Sequence, residues 1–210
     1  MIAERLKKVL HQHISDYLSL YTFVTGLLLM GIIFGAIVVN CLPYESKNDL
    51  LHYLQQFFGE LAKNQVADPR ALFKDSLFHD LQYLILIWVL GLSVIGLPLI
   101  FLLIFVKGIF LGFTVGFLVS QMGMKGLMAI LVSIFPQNLL IIPNYLFIAV
   151  LSVAFSLKMI RQLLMKTRNQ PMLPQFINYG LVLASTVLIA AIASGYEAYV
   201  SPALIRLFIA

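Results

Sequence analysis

The chain has 210 residues, of which 61% are hydrophobic and only 11% are charged, and its formal net charge is +5. Soluble domains usually carry about 25% charged residues, so this composition excludes an ordinary soluble protein. The single cysteine, Cys41, excludes an internal disulfide and a thiolate metal cluster. The basic residues flank hydrophobic runs, an arrangement typical of membrane orientation rather than of a nucleic-acid partner.

Four charge-free runs predict that the chain lies in a lipid bilayer. They cover residues 17–44, 81–106, 126–157 and 169–196. Each run is longer than the ~20 residues that a helix needs to cross a membrane. Backbone groups inside lipid must pair within their own segment, and the runs lack the alternation of barrel strands. We therefore predict an all-α polytopic membrane protein with about five transmembrane helices.

The chain is expected to begin with a cytoplasmic amphipathic segment over residues 1–19, followed by a single transmembrane helical domain over residues 20–210. Its first apolar run, residues 20–39, is too long for the apolar core of a signal peptide. We predict that this run is a retained first span. Gly31 and Gly35 lie four residues apart in it, a spacing that lets a neighbouring helix approach closely.

The largest polar region is residues 41–80, which we predict to be an extracytoplasmic loop. Its first part has the apolar periodicity of an amphipathic helix. A second helix is expected to begin at Asp68 and Pro69, because aspartate caps helix N-termini and proline suits the first helical position. The apolar face of the first helix either covers the end of the bundle or docks partner proteins. That face includes Leu54, Phe57, Phe58 and Leu61.

Four further spans are predicted at residues 80–106, 108–123, 127–157 and 176–194. The region 127–157 is too long for one simple crossing, so a broken or partly re-entrant segment is expected around residues 127–143. With five spans, eight Lys and Arg residues fall on the side of the N-terminus and six on the other side. The excess predicts a multi-pass membrane protein with a cytoplasmic N-terminus.

A glycine ridge follows Lys107 at four-residue spacing. It consists of Gly108, Gly112 and Gly116, and such a row of small residues favours close helix packing. A second interpretation makes Lys107 a polar site inside the bundle, because an intramembrane charge is costly and usually functional. At the membrane interface the same lysine would only extend its ammonium group toward water.

A second motif contains two prolines seven residues apart, Pro136 and Pro143, with Gln137 and Asn138 after the first. Proline removes a helical hydrogen bond, and amide side chains can bind the carbonyls that it releases. The motif therefore predicts a broken helix. Structural compensation is one interpretation of the two amides, and a transport or ion site is the other.

The inventory of reactive side chains predicts a protein that is not an enzyme. The four histidines lie outside the later spans, and they form no metal-binding pattern. Glu197 is the one acid between residues 81 and 205. We therefore expect no catalytic residues, no metal and no cofactor.

At the two motifs the sequence resembles the stage II sporulation protein M family of endospore-forming bacteria. The residues that carry the resemblance are the run from Lys107 to Phe117 and the run from Phe135 to Pro143. The resemblance implies a membrane scaffold at the septal or engulfing membrane of the mother cell. There it would recruit the stage II sporulation proteins D and P, which remodel peptidoglycan. The alternative is the membrane subunit of a transporter, and the sequence leaves a homo-oligomer open.

Overall fold

The computed structural model describes residues 14–62, 68–165 and 172–202, and these residues are almost entirely helical, with no strand among them. The predicted all-α fold is confirmed. The elements follow in the order α1 (Leu18–Cys41), α2 (Tyr44–Ala62), α3 (Pro69–Gly91), α4 (Gly96–Met122), α5 (Met124–Ala129), π1 (Ile130–Ile134), α6 (Phe135–Met165), α7 (Met172–Gly195) and π2 (Tyr196–Val200).

Four helical stretches of the described chain are long and apolar enough to cross a membrane. They are Leu18–Cys41, Gly96–Met122, Met124–Arg161 and Phe176–Val200. Helix α3 packs with α4, α6 and α7 as a fifth long member of the bundle, but its first half is polar. Large apolar side chains remain exposed around the bundle, as expected of helices that face lipid.

The turn between α3 and α4 changes the bounds predicted for the second and third spans. Helix α3 ends at Gly91, and α4 begins at Gly96, so the run 80–106 is not one helix. A Cβ atom on Gly96 would lie 1.9 Å from the carbonyl oxygen of Leu90, which explains the need for glycine at this turn. Pro98 is the third residue of α4, where its missing N–H group costs nothing.

Helices α1 and α4 make the most extensive contact in the described bundle, and glycines line their interface. A Cβ atom on Gly35 would lie 2.1 Å from the carbonyl oxygen of Ile109, and one on Gly112 would lie 2.0 Å from that of Ile32. The two backbones therefore touch directly. Gly31, opposite Gly108, extends the same contact.

The expected break around residues 127–143 takes another form. Residues 124–165 are helical throughout, so the re-entrant turn is not present, and the distortion is the π-helix π1 just before Pro136. Pro143 lies inside α6 without ending it. A π-helical turn changes the hydrogen-bond register locally and lets the helix continue.

The apolar core lies where α1, α3, α4, α6 and α7 meet. Leu84 and Ile87 of α3, Ile104 of α4 and Ile148 of α6 are all 0% exposed. Together they exclude water and lipid from the polar side chains that lie beside them.

Helix α2 follows α1 and precedes α3 in the chain. No other described helix packs extensively against it, and its Tyr44 and Tyr53 side chains are 83% and 72% exposed. Asp68 accepts a 3.1 Å hydrogen bond from the backbone N–H of Arg70 at the start of α3. The predicted N-cap with Pro69 after it is thereby confirmed.

Candidate functional site, a buried polar centre

An aspartate and a tyrosine form the centre of a polar cluster inside the bundle. Asp80 of α3 is 5% exposed, and Tyr145 of α6 is 2% exposed. The phenol of Tyr145 donates a 2.6 Å hydrogen bond to Oδ1 of Asp80. The second oxygen, Oδ2, is buried without a hydrogen-bond partner among the described residues. A buried carboxylate left half-paired is energetically costly, so this position is a candidate functional site.

Lys107 of α4 faces the same cluster. Its ammonium nitrogen lies 4.8 Å from the ring centre of Tyr145 and 5.2 Å from that of Tyr83. The two rings are themselves 5.0 Å apart at 61°. Cations this close to aromatic faces are stabilised by about 2 kcal/mol when water is excluded. The carboxylates of Asp80 and Glu197 favour the charged form of Lys107 electrostatically and offset part of the cost of burying it.

Glu197 of π2 forms a second polar group nearer one end of the bundle. Its Oε2 accepts a 2.5 Å hydrogen bond from Nε2 of Gln137 and another from the hydroxyl of Ser76. The carboxylate therefore joins α3, α6 and π2. Ser76 lies one helical turn before Asp80 on α3, so the two carboxylates belong to one column of polar side chains.

The column combines two carboxylates with one lysine inside a closely packed bundle. Such groups can hold a proton, a bridging water or a charged ligand. Among the described residues, no three His, Cys, Asp or Glu side chains come together as a metal site. The charges also tie four elements of the bundle to one another, which fixes their relative positions.

Pro136 disturbs the helix beside Glu197, and side chains compensate for it. The carbonyl of Val132, four residues before the proline, accepts a 3.2 Å hydrogen bond from the phenol of Tyr196. Asn138 donates a 2.8 Å bond to the carbonyl of Ile134. The amide of Gln137 binds Glu197 instead of the backbone. One amide is thus structural, and the other belongs to the polar centre.

The structure separates the residues that the sequence singled out into three places. Gly108, Gly112 and Gly116 face α1. Lys107 lies within α4 rather than between two predicted spans. It therefore does not belong among the basic residues that were counted to predict the orientation in the membrane. Pro136, Gln137 and Asn138 lie at the start of α6, and Pro143 lies two turns later.

The four residues of the predicted partner face all lie on α2. Leu54 is half-buried. The side chains of Phe57, Phe58 and Leu61 lie outside the part of the chain whose side chains the structure describes. The predicted segment 1–19 likewise lies mostly outside the described residues.

Sequence reasoning missed Asp80 and its aromatic neighbours. The available signal was the spacing of Ser76, Asp80 and Tyr83, which places polar and aromatic groups on one face of a helix. Tyr145 lies eight residues after Gln137, again on one helical face. Position in the sequence alone assigns each of these residues to a loop or to an apolar span.

Comparison with known proteins identifies the family. The family described as Stage II sporulation protein M matches residues 24–202, which is well over half of the chain. No curated protein and no solved structure matches the chain. The match begins within α1 and includes all the later helices of the bundle and all of the polar centre. The chain therefore belongs to the stage II sporulation protein M family and is a sporulation-related membrane protein.

Proposed function

We propose that the protein is a membrane scaffold that recruits peptidoglycan-remodelling hydrolases to the septal and engulfing membrane during endospore formation. The stage II sporulation proteins D and P are the partners that the family suggests. In this proposal the chain anchors its partners and catalyses nothing itself. The bundle is the anchor, and α2 is the docking element.

The observation that carries this proposal is the position of α2. An amphipathic helix normally buries its apolar face against its own protein, yet no described helix packs extensively on α2. Leu50, Leu51 and Leu54 share one face of it. Amphipathic helical faces are typical protein-docking surfaces, and in this proposal the face with these partly buried leucines docks the partners.

The rest of the structure supports an anchoring role. The glycine contact between α1 and α4 brings two backbones together, and the polar centre ties α3, α4, α6 and π2 together. A firmly assembled bundle would keep α2 attached to the membrane. Partners bound there would be confined to that surface.

A crosslinking pulldown from sporulating cells tests the proposal with two matched variants. The first, Phe57→Glu with Phe58→Glu, places two charges on the apolar face of α2. The second, His52→Glu with Gln55→Glu, places two charges on exposed positions of the same helix. We expect the first variant to lose the D and P proteins while the second retains them. Both should reach normal abundance in the membrane.

Full recruitment by the Phe57→Glu and Phe58→Glu variant would exclude α2 as the docking element. Loss of both partners from the control as well would show a general effect of negative charge. Absence of the D and P proteins from the wild-type pulldown would overturn the scaffold proposal itself.

The polar centre favours a second candidate function, the membrane subunit of a transporter. Charged groups inside a helical bundle are typical of substrate and ion pathways, and Asp80, Lys107 and Glu197 form such a group. Ion flux into proteoliposomes containing the purified protein tests it. A transporter would show flux that Asp80→Asn abolishes, whereas a scaffold would show no flux above that of empty liposomes.

A further inference from the structure

A cleft opens at the end of the bundle opposite Glu197. It has a volume of about 210 Å³ and lies where the start of α1, the end of α6 and the start of α7 meet. Its walls include Leu151, Phe155 and Val182, and its rim carries three polar groups. These are Tyr17, Lys158 and Asn178.

The floor of the cleft is a preformed aromatic stack. The ring of Tyr179 lies 4.5 Å from that of Phe155 at 3°, and 5.2 Å from that of Trp88 at 16°. The Tyr179 side chain is 1% exposed, and its hydroxyl donates a 2.9 Å hydrogen bond to the carbonyl of Trp88. The stack holds the floor in place, so a ligand would not have to order it on binding.

The surroundings of the cleft indicate the chemistry of its ligand. Three chain neighbours of lining residues, Leu157, Ile177 and Leu181, are 45%, 56% and 63% exposed, as expected of residues that face acyl chains. Lys158 on the rim is exposed, and Arg161 follows one turn later. The one acidic residue described at this end, Asp16, is also exposed, so basic charge is in excess here.

We propose that this cleft binds an anionic phospholipid, with the phosphate at Lys158 and an acyl chain along the apolar walls. Basic pockets between spanning helices recognise anionic headgroups. The volume is below that of most drug-sized ligand pockets, and it suits the glycerol phosphate region with the first part of one chain. The side-chain amide of Asn178 supplies hydrogen-bond donors for the headgroup oxygens. The proposal is independent of the scaffold function.

Native mass spectrometry of the full-length protein in a neutral detergent tests it. The probes are phosphatidylglycerol, phosphatidylcholine and inorganic phosphate. We expect phosphatidylglycerol to be retained in preference to phosphatidylcholine. Lys158→Gln should weaken its binding roughly five-fold, as expected for the loss of one lysine near anionic lipid. Lys158→Arg, which keeps the charge, should retain it.

Lys125→Gln is the matched control, because Lys125 is also exposed and lies at the opposite end of the bundle. An equal loss in this control would show unspecific attraction to positive charge and would overturn the proposal. Equal retention of the two lipids would also overturn it. Complete displacement of phosphatidylglycerol by inorganic phosphate would assign the cleft to a free phosphate rather than to a lipid.

Discussion

Tyr145 and Asp80 are joined by a 2.6 Å hydrogen bond that connects α6 to α3 inside the bundle. Both side chains are almost completely buried, and the other carboxylate oxygen of Asp80, Oδ2, has no hydrogen-bond partner within the described chain. The hydrogen bond from the phenol therefore offsets part of the free-energy cost of burying this carboxylate. The stability of the bundle should depend on it.

Tyr145→Phe removes this hydrogen bond and changes the volume of the side chain very little. We expect the free energy of unfolding to fall by about 1.5–3 kcal/mol, the usual value of a hydrogen bond to a charged group. Thermal unfolding of the purified protein in detergent measures the change. Tyr53→Phe is the control, since Tyr53 is 72% exposed. Equal midpoints for the two variants would contradict the expectation.

Lys107→Met removes the positive charge between Tyr83 and Tyr145 but keeps the length of the side chain. We expect a loss of about 2 kcal/mol or more, because the cation–π contacts disappear and the carboxylates lose a compensating charge. The same substitution at the exposed Lys125 should change stability very little. Thermal unfolding again provides the measurement.

Asp80→Asn tests whether Lys107 and Asp80 stabilise the bundle through one another. In a double-mutant cycle, Lys107→Met with Asp80→Asn should lose less stability than the two single variants together, because neither charge is then left uncompensated. Strictly additive losses would show that the two groups act independently, and the polar centre would then not be one unit.

Gly112→Ala tests the direct contact of α1 with α4. The added Cβ atom would lie 2.0 Å from the carbonyl oxygen of Ile32, so the helices must separate, at a cost of about 1–3 kcal/mol. Gly26→Ala is the matched control, since nothing lies within 4 Å of its Cβ position. We expect a lower unfolding midpoint and less protein in the membrane for the first variant alone. Normal values for Gly112→Ala would mean that the helices separate at no cost.

Orientation in the membrane can be tested with single cysteines placed in a Cys41→Ser background. Tyr53→Cys lies on α2, and Lys158→Cys lies at the end of α6, and both positions are exposed. The distribution of Lys and Arg predicts that an impermeant maleimide labels position 53 in intact cells and position 158 only after lysis. Labelling of position 158 in intact cells would reverse the predicted topology.

The sequence by itself determined the fold class. Charge-free runs of this length lie in lipid, where their backbone N–H and C=O groups must form hydrogen bonds within a helix. It also determined the start of α3 at Asp68 and Pro69, since capping depends on neighbouring residues alone. The family resemblance carried by the run from Lys107 to Phe117 is confirmed by the match over residues 24–202. The fold class, this helix start and the family resemblance each depend on residues that are close together in the chain or on the residue order itself.

Tertiary structure alone decided what Lys107 and Asp80 do. Their charges are 27 positions apart in the chain, and their closeness depends on the turn at residues 92–95, which brings α3 back beside α4. Hydropathy does not reveal that turn, because its residues are largely as apolar as those of a span. The polar groups that meet in the interior are decided by how the helices are rotated and packed against one another. That arrangement is seen in the folded structure and not in a single sequence.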